Sequence, residues 1–185
     1  MKFYSVVMTT LLAGAVSVQA ETFKGKAEIL FDVHTTLGKL HSFTGKVASE
    51  PFEVTVDSDK INLEVSVVST NMQTGNKKRD QEMFHMLHTD QHAKITGSAK
   101  DLSLEGLKKA AGEQKTAITP TLTIAGVSKP VEGELSGWKD DGKKITFSTK
   151  FTVSLKEFEL KPPSVIGLIK VHDPVAVTAA FTLER

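Results

Sequence analysis

The chain has 185 residues, 23 basic against 22 acidic, no cysteine, and ten phenylalanines beside one tryptophan and one tyrosine. A charge this close to neutral excludes the electrostatic footprint of a nucleic-acid or anionic-membrane binder. The lack of cysteine excludes a disulfide framework and thiol chemistry, so a phenylalanine-rich core must hold the fold.

The first twenty residues read as a cleaved secretory leader. Lys2 gives the positive start, Phe3 to Val16 are mostly apolar, and Val18-Gln19-Ala20 offers small residues to a signal peptidase. The apolar run is too short for a membrane span, which needs roughly 20 residues. The organisation expected is a signal peptide at 1–20 and one domain at 21–185, exported to the periplasm. Without Lys2, 22 bases face 22 acids.

Strand patterns follow. Ile61, Leu63, Val65 and Val67 alternate with more polar neighbours, as do Ile145, Phe147, Thr149, Phe151, Val153 and Leu155, and finally Val175 to Leu183. A period of two places one face in a core and one in water. Further strand-like runs at 22–33, 44–56, 94–104, 114–124 and 129–138 bring the number to about eight. Asp57-Ser58-Asp59, Ala125-Gly126 and Asp140-Asp141-Gly142 carry hairpin-turn chemistry. Pro51, Pro120 and Pro130 require edge, end or bulge positions. An antiparallel barrel and a two-sheet sandwich both fit; closing a barrel removes the edge strands, and the cysteine pair of an immunoglobulin-type sandwich is missing.

One segment breaks the pattern. Asn76 can cap a helix from Lys77 to about His88, with Asp80, Met83, Phe84 and Leu87 on one face. Such an insert suits the mouth of a barrel. Lys77, Lys78 and Arg79 crowd its first turn, where the helix dipole disfavours cations by about 0.3–1 kcal/mol each. Arg79 must therefore gain elsewhere, from Asp80, Asp90 or a ligand head group. His85, His88 and His92 have the spacing of metal ligands only if the helix continues past His88, and Thr89-Asp90 argues that it stops there. No catalytic serine, nucleotide-binding or zinc-protease motif is present, so an enzyme is not expected. In the C-terminal loop, Val165, Ile166, Leu168 and Ile169 are too apolar for an idle solvated segment.

These motifs resemble the YceI-like family of periplasmic proteins. The segment Ser69-Thr70-Asn71-Met72-Gln73-Thr74-Gly75-Asn76-Lys77-Lys78-Arg79-Asp80 is similar to the family's T-G-N-x-x-R-D block, and Leu122 to Val131 (LTIAGVSKPV) to its L-T-I-x-G-V-T-K-P-V hairpin. Phe31-Asp32-Val33-His34 stands where the family has an early F-x-V-x-H. His92-Ala93 replaces a frequent Tyr-Pro, and the stretch from Thr35 to Leu40 departs from the usual continuation.

The resemblance implies an all-β, lipocalin-like, eight-stranded antiparallel up-and-down barrel with its short helix at one end. It further implies a carrier or sequestering protein that takes a long-chain isoprenoid, whether polyprenyl or quinone, or a fatty amphiphile into an apolar tunnel. No cofactor beyond such a lipid is expected. Partners would be the lipid and transiently a membrane or membrane protein, with the carrier a monomer or homodimer. Candidate tunnel or mouth residues are Phe31, His34, Phe43, Met72, Arg79, Asp80, Met83, Phe84, Leu87, Ile166 and Leu168, with Met86 as a further flexible gap-filler. The alternative from another class is a metal- or haem-responsive periplasmic stress or redox protein built on His85, His88 and His92.

Overall fold

The computed structural model describes residues 20–36, 38, 42–111, 114–162 and 171–185. The predicted leader, apart from Ala20, and the apolar loop with Ile166 and Leu168 lie outside the described residues.

Eleven strands form one antiparallel sheet. They are β1 (Glu21–Val33), β2 (Phe43–Ala48), β3 (Phe52–Asp57), β4 (Lys60–Val68), β5 (Lys94–Ser103), β6 (Thr116–Ile118), β7 (Thr121–Ile124), β8 (Val127–Pro130), β9 (Gly133–Asp140), β10 (Lys144–Val153) and β11 (Val175–Glu184). The excess over eight comes from three interruptions. β2 and β3 pair with successive halves of β1 and part at Ser49–Pro51. β6–β7 and β8–β9 form a single long hairpin that keeps one register from Thr116↔Leu135 to Ile124↔Val127, although the pairing itself lapses around Pro120 and Val131. Proline has no N–H for a ladder, and Pro51 and Pro120 stand at two of these breaks.

Counted as continuous runs, the wall has eight strands, and the ring closes. β1 pairs with β11, β11 with β10, β10 with β9 and β9 with β6. Beyond Pro120 the same run continues as β7, which pairs with β5; β5 pairs with β4, β4 with β3, and β3 with β1. One proline-broken run thus bonds the β8–β9 run along both of its halves and β5 along its second half only, which completes the barrel.

The turns use the expected chemistry. Ser58 and Asp59 both have positive φ (49° and 75°), as do Ala125 and Gly126 (48° and 80°), the backbone of tight hairpins whose twist matches the strands. Among the described residues, two short α-helices lie at the ends. α1 (Lys77–Met86) follows β4, and α2 (Leu104–Lys108) follows β5. α2 was not legible in advance: five residues with a central glycine carry no helical periodicity. Ser103 caps it through Gly106 N–H, and Leu107 (4% exposed) and Ala110 (0%) pack into the barrel.

Two apolar clusters share the interior. The one at the α2 end joins Phe23, Val54, Ile61, Leu107, Leu135, Trp138, Phe147 and Phe181. Trp138 stacks on Phe147 at 5.6 Å, Phe147 on Phe181 at 4.6 Å, and Phe52 meets Phe181 edge-on at 6.3 Å. The other, at the α1 end, includes Phe31, Val33, Leu87, Leu122, Leu155 and Phe158, with Met72, Met83 and Met86 packed against it. Two strand glycines admit aromatic rings: a Cβ at Gly25 would lie 2.0 Å from the Phe52 ring, and one at Gly45 2.0 Å from that of Phe31.

Candidate functional site

The inward positions do not fill the barrel. They enclose a cavity of about 860 Å³ that reaches from α1, at Arg79 and Met83, to Leu107 and Trp138 beside α2. This lies within the roughly 300–1,000 Å³ of small-molecule sites. Its wall is the alternation read in the sequence: Ile61, Leu63, Val65 and Val67 of β4, Phe147, Thr149, Phe151 and Val153 of β10, and the odd-numbered residues of β11. On β4 the middle pair Leu63 and Val65 remain only half-buried although they point inward. On β5 the inward residues Gly97 and Ala99 are small. An apolar face kept short of close packing is the feature that separates a lumen from a core.

Polar groups gather at the α1 end. Asn76, Lys78, Arg79 and Glu82 line the cavity from the helix, and Thr35 from the segment after β1. The Asn76 side chain accepts hydrogen bonds from the N–H groups of Lys78 and Arg79, the capping anticipated from its sequence. Arg79 is held in place without a carboxylate. Its Nε donates to Thr74 Oγ1 (2.9 Å), its Nη2 to the Thr74 carbonyl (2.7 Å), and its guanidinium lies 3.8 Å from the centre of the Phe43 ring. Asp80 grips the same residue from the other side, accepting from Thr74 N (2.8 Å) and Thr74 Oγ1 (2.6 Å). Thr74, 6% exposed, is thus the post to which both members of the R-D pair are tied. Of the partners anticipated for Arg79, neither carboxylate, Asp80 nor Asp90, is one it meets.

Phe31, Phe43, Met72, Arg79, Met83 and Leu87 line the cavity, together with Met86. Three candidates do not. His34 is exposed on the outer face of its segment, where Nδ1 lies 3.3 Å from Ser42 Oγ. Asp80 turns to Thr74, and Phe84 falls between the lumen-facing stripe and solvent. The face of α1 toward the cavity runs through Arg79, Met83, Met86 and Leu87; the expected face was rotated by about one residue. Ile166 and Leu168 lie outside the described residues.

The helix ends at Met86, and His88 takes a positive φ of 51°, which turns the chain away. His85 and His88 are exposed, and His92 lies near the β7–β8 turn, where its ring would meet a Cβ at Gly126. No group of metal-binding side chains occurs among the described residues. Among them, too, no helix is long and apolar enough to cross a membrane.

The far end of the cavity is sealed differently. Arg185 Nε donates to Glu21 (2.6 Å), and its Nη1 and Nη2 donate to the two Asp140 oxygens (3.1 and 3.2 Å). The guanidinium, followed by the Gly142 N–H, holds the Asp140 carboxyl below its ordinary range, while Arg185 itself is raised.

Thr35 and Thr74 escaped the sequence reading. A hydroxyl at an inward position is the available signal for Thr35. For Thr74 it is the small polar residue two places before the helix cap.

A family model, the YceI-like domain, matches residues 15–183. Among solved structures, a polyisoprenoid binding domain from Saccharophagus degradans, described as implicated in plant cell wall breakdown, is 13% identical. The match has a TM-score of 0.67 and covers 87% of this chain and 97% of that one. Burkholderia cenocepacia BcnA is 14% identical, with a TM-score of 0.63 over 84% of this chain and 95% of that one. These likenesses establish the barrel fold. No curated protein sequence matches the chain.

Proposed function

Because the chain belongs to the YceI-like family, we propose that it is a non-catalytic periplasmic carrier. It would take a long-chain isoprenoid, or a lipid of similar shape, into the barrel and sequester or shuttle it. The observation that carries this reading is the largely apolar lumen of about 860 Å³, lined by charged side chains at one end only. The name of the Saccharophagus domain, whose fold the chain shares, points the same way.

The mechanism is desolvation. Burying some 20 methylene-like carbons at about 0.8 kcal/mol each gives roughly 16 kcal/mol gross. Ordering the chain and losing rigid-body freedom offset much of it, leaving roughly micromolar to nanomolar affinity. Met72, Met83 and Met86 give the α1 end a flexible, polarizable lining that adapts to a bending tail. Residues 1–20 would serve as the cleaved leader, and loading would involve brief contact with a membrane or a membrane protein.

Native mass spectrometry of untagged, detergent-free protein, followed by organic extraction, tests the reading. A bound mass that extracts as a prenyl or acyl lipid is the expected result. An empty protein that also takes up no added prenyl lipid, or a mass increment of a transition metal, overturns it.

A further inference from the structure

We propose, building on the carrier reading, that the α1 end receives an oxyanion: the lipid's head group is a phosphate or carboxylate held by Arg79, Lys78 and Thr35. The first observation is the charge pattern. Lys77, Lys78 and Arg79 occupy the first turn of a ten-residue helix, at the positive end of its dipole, where cations are disfavoured. Asp80, the one acid of that turn, is committed to Thr74. None of the three cations takes part in an ion pair among the described residues. An anion arriving at this end offsets the mutual repulsion, and Lys78 and Arg79 both line the cavity where it would arrive.

The second observation is independent of the helix. The Thr35 hydroxyl is buried, on a residue 6% exposed that lines the same cavity, and it has no hydrogen-bond partner among the described residues. A buried unpaired hydroxyl is costly to maintain, and a ligand oxygen removes that cost. Its placement fits: Val33 pairs with Phe43, Thr35 lies two residues further along the same inward face, and Arg79 stacks on Phe43.

The arrangement is also prepared in advance. Thr74 and Phe43 fix the guanidinium through Nε, Nη2 and its π face, which leaves Nη1 without a partner among the described residues. The Asn76 side chain already occupies the N–H groups of Lys78 and Arg79, so side chains rather than backbone would meet the anion. Glu82 also lines this rim, and its single charge is outweighed by two cations and the helix terminus. Thr74 and Asp80 act as positioning residues.

Trp138 lines the lumen and is the chain's sole tryptophan, so its fluorescence reports occupancy. Residues 21–185 would be titrated with geranylgeranyl phosphate against geranylgeraniol, and with palmitate against hexadecanol, at low and physiological salt. The expected result is at least about a tenfold preference for an anionic head over its alcohol, shrinking as salt rises. Arg79→Gln, Lys78→Gln and Thr35→Val should each reduce that preference, with the larger loss falling on the anionic probes. Lys78 is exposed, so its variant tests the idea even if Arg79→Gln loosens α1. Preference for the phosphate alone or the palmitate alone assigns the source of the oxyanion, and either supports the site. Equal binding of alcohols and anions, or an undiminished preference in a Lys78→Gln/Arg79→Gln double variant, overturns it. Failure of every probe to bind overturns the carrier reading as well, so the two failures are distinguishable.

Discussion

The two ends of this barrel are made from the same strands and closed by opposite means. At the α2 end, Leu107 and Ala110 fill the space beneath a stack of Trp138, Phe147 and Phe181, and an Arg185–Asp140–Glu21 cluster ties the strand termini. At the α1 end, no residue of the helix is buried within its span; flexible methionines face a void, and the hydrogen bonds that Arg79 donates to Thr74 hold the corner. Packing secures the floor and polar bonding secures the rim. Substitutions at the floor should therefore be read in stability, and those at the rim or in the lumen in binding.

The largest effect is expected at the floor. Trp138→Ala should cost about 3–5 kcal/mol and Leu107→Ala about 2–5 kcal/mol of unfolding free energy in urea titrations, because each removes a side chain that is almost wholly buried. Met83→Ala at the rim should cost about 1 kcal/mol or less, since its side chain is only half-buried. Equal losses at both ends would break the contrast. Next comes the lumen between them: Ala99→Phe displaces room for roughly four methylenes. It should weaken lipid binding by about 3 kcal/mol, roughly 100-fold, with the melting temperature little changed. Binding unchanged in that variant would place the tail elsewhere.

A smaller change sharpens the rim. Asn76→Ala removes the acceptor for two helix N–H groups and should cost about 1 kcal/mol, visible as faster amide exchange confined to α1. The smallest concerns the floor's ion cluster. Asp140 has a folded-state pKa below its unfolded value of about 3.9. Its contribution is therefore present above that value and lost as pH falls through the lower, folded one. Asp140→Asn should flatten the acid limb of the stability profile below about pH 4 and change little at neutrality, because the cluster is partly exposed and screened.

The wall was legible because a two-residue period is a strong signal wherever one face is apolar: the eight runs expected from alternation and turn residues are the eight runs of the ring. The helix cap at Asn76 was equally plain, since the cap is local chemistry. What could not be read was tertiary. The breaks that turn eight runs into eleven strands depend on which neighbour each half bonds, a choice that Pro120 permits but does not encode. Arg79 was flagged by its unfavourable place in the first turn, yet its partner proved to be a threonine that no charge pattern could reveal. The rotation of α1 that brings Met86 inward and leaves Phe84 out follows from how the helix docks. Its sequence, with apolar residues at 83, 84, 86 and 87, offers two nearly equal faces.

The pairing of β1 with β11 also sets an order of events. Lys24 meets Glu184, so the first strand of the wall gains its second neighbour only when the last strand is available. Until then β1 and β10 are bare edges, able to pair with other chains, and the lumen is an open trough. Closure at such sequence separation makes folding slow relative to a protein of local contacts. Shelter during that interval, or rapid delivery of the final strand, matters more to this chain than the strength of any single contact in the finished barrel.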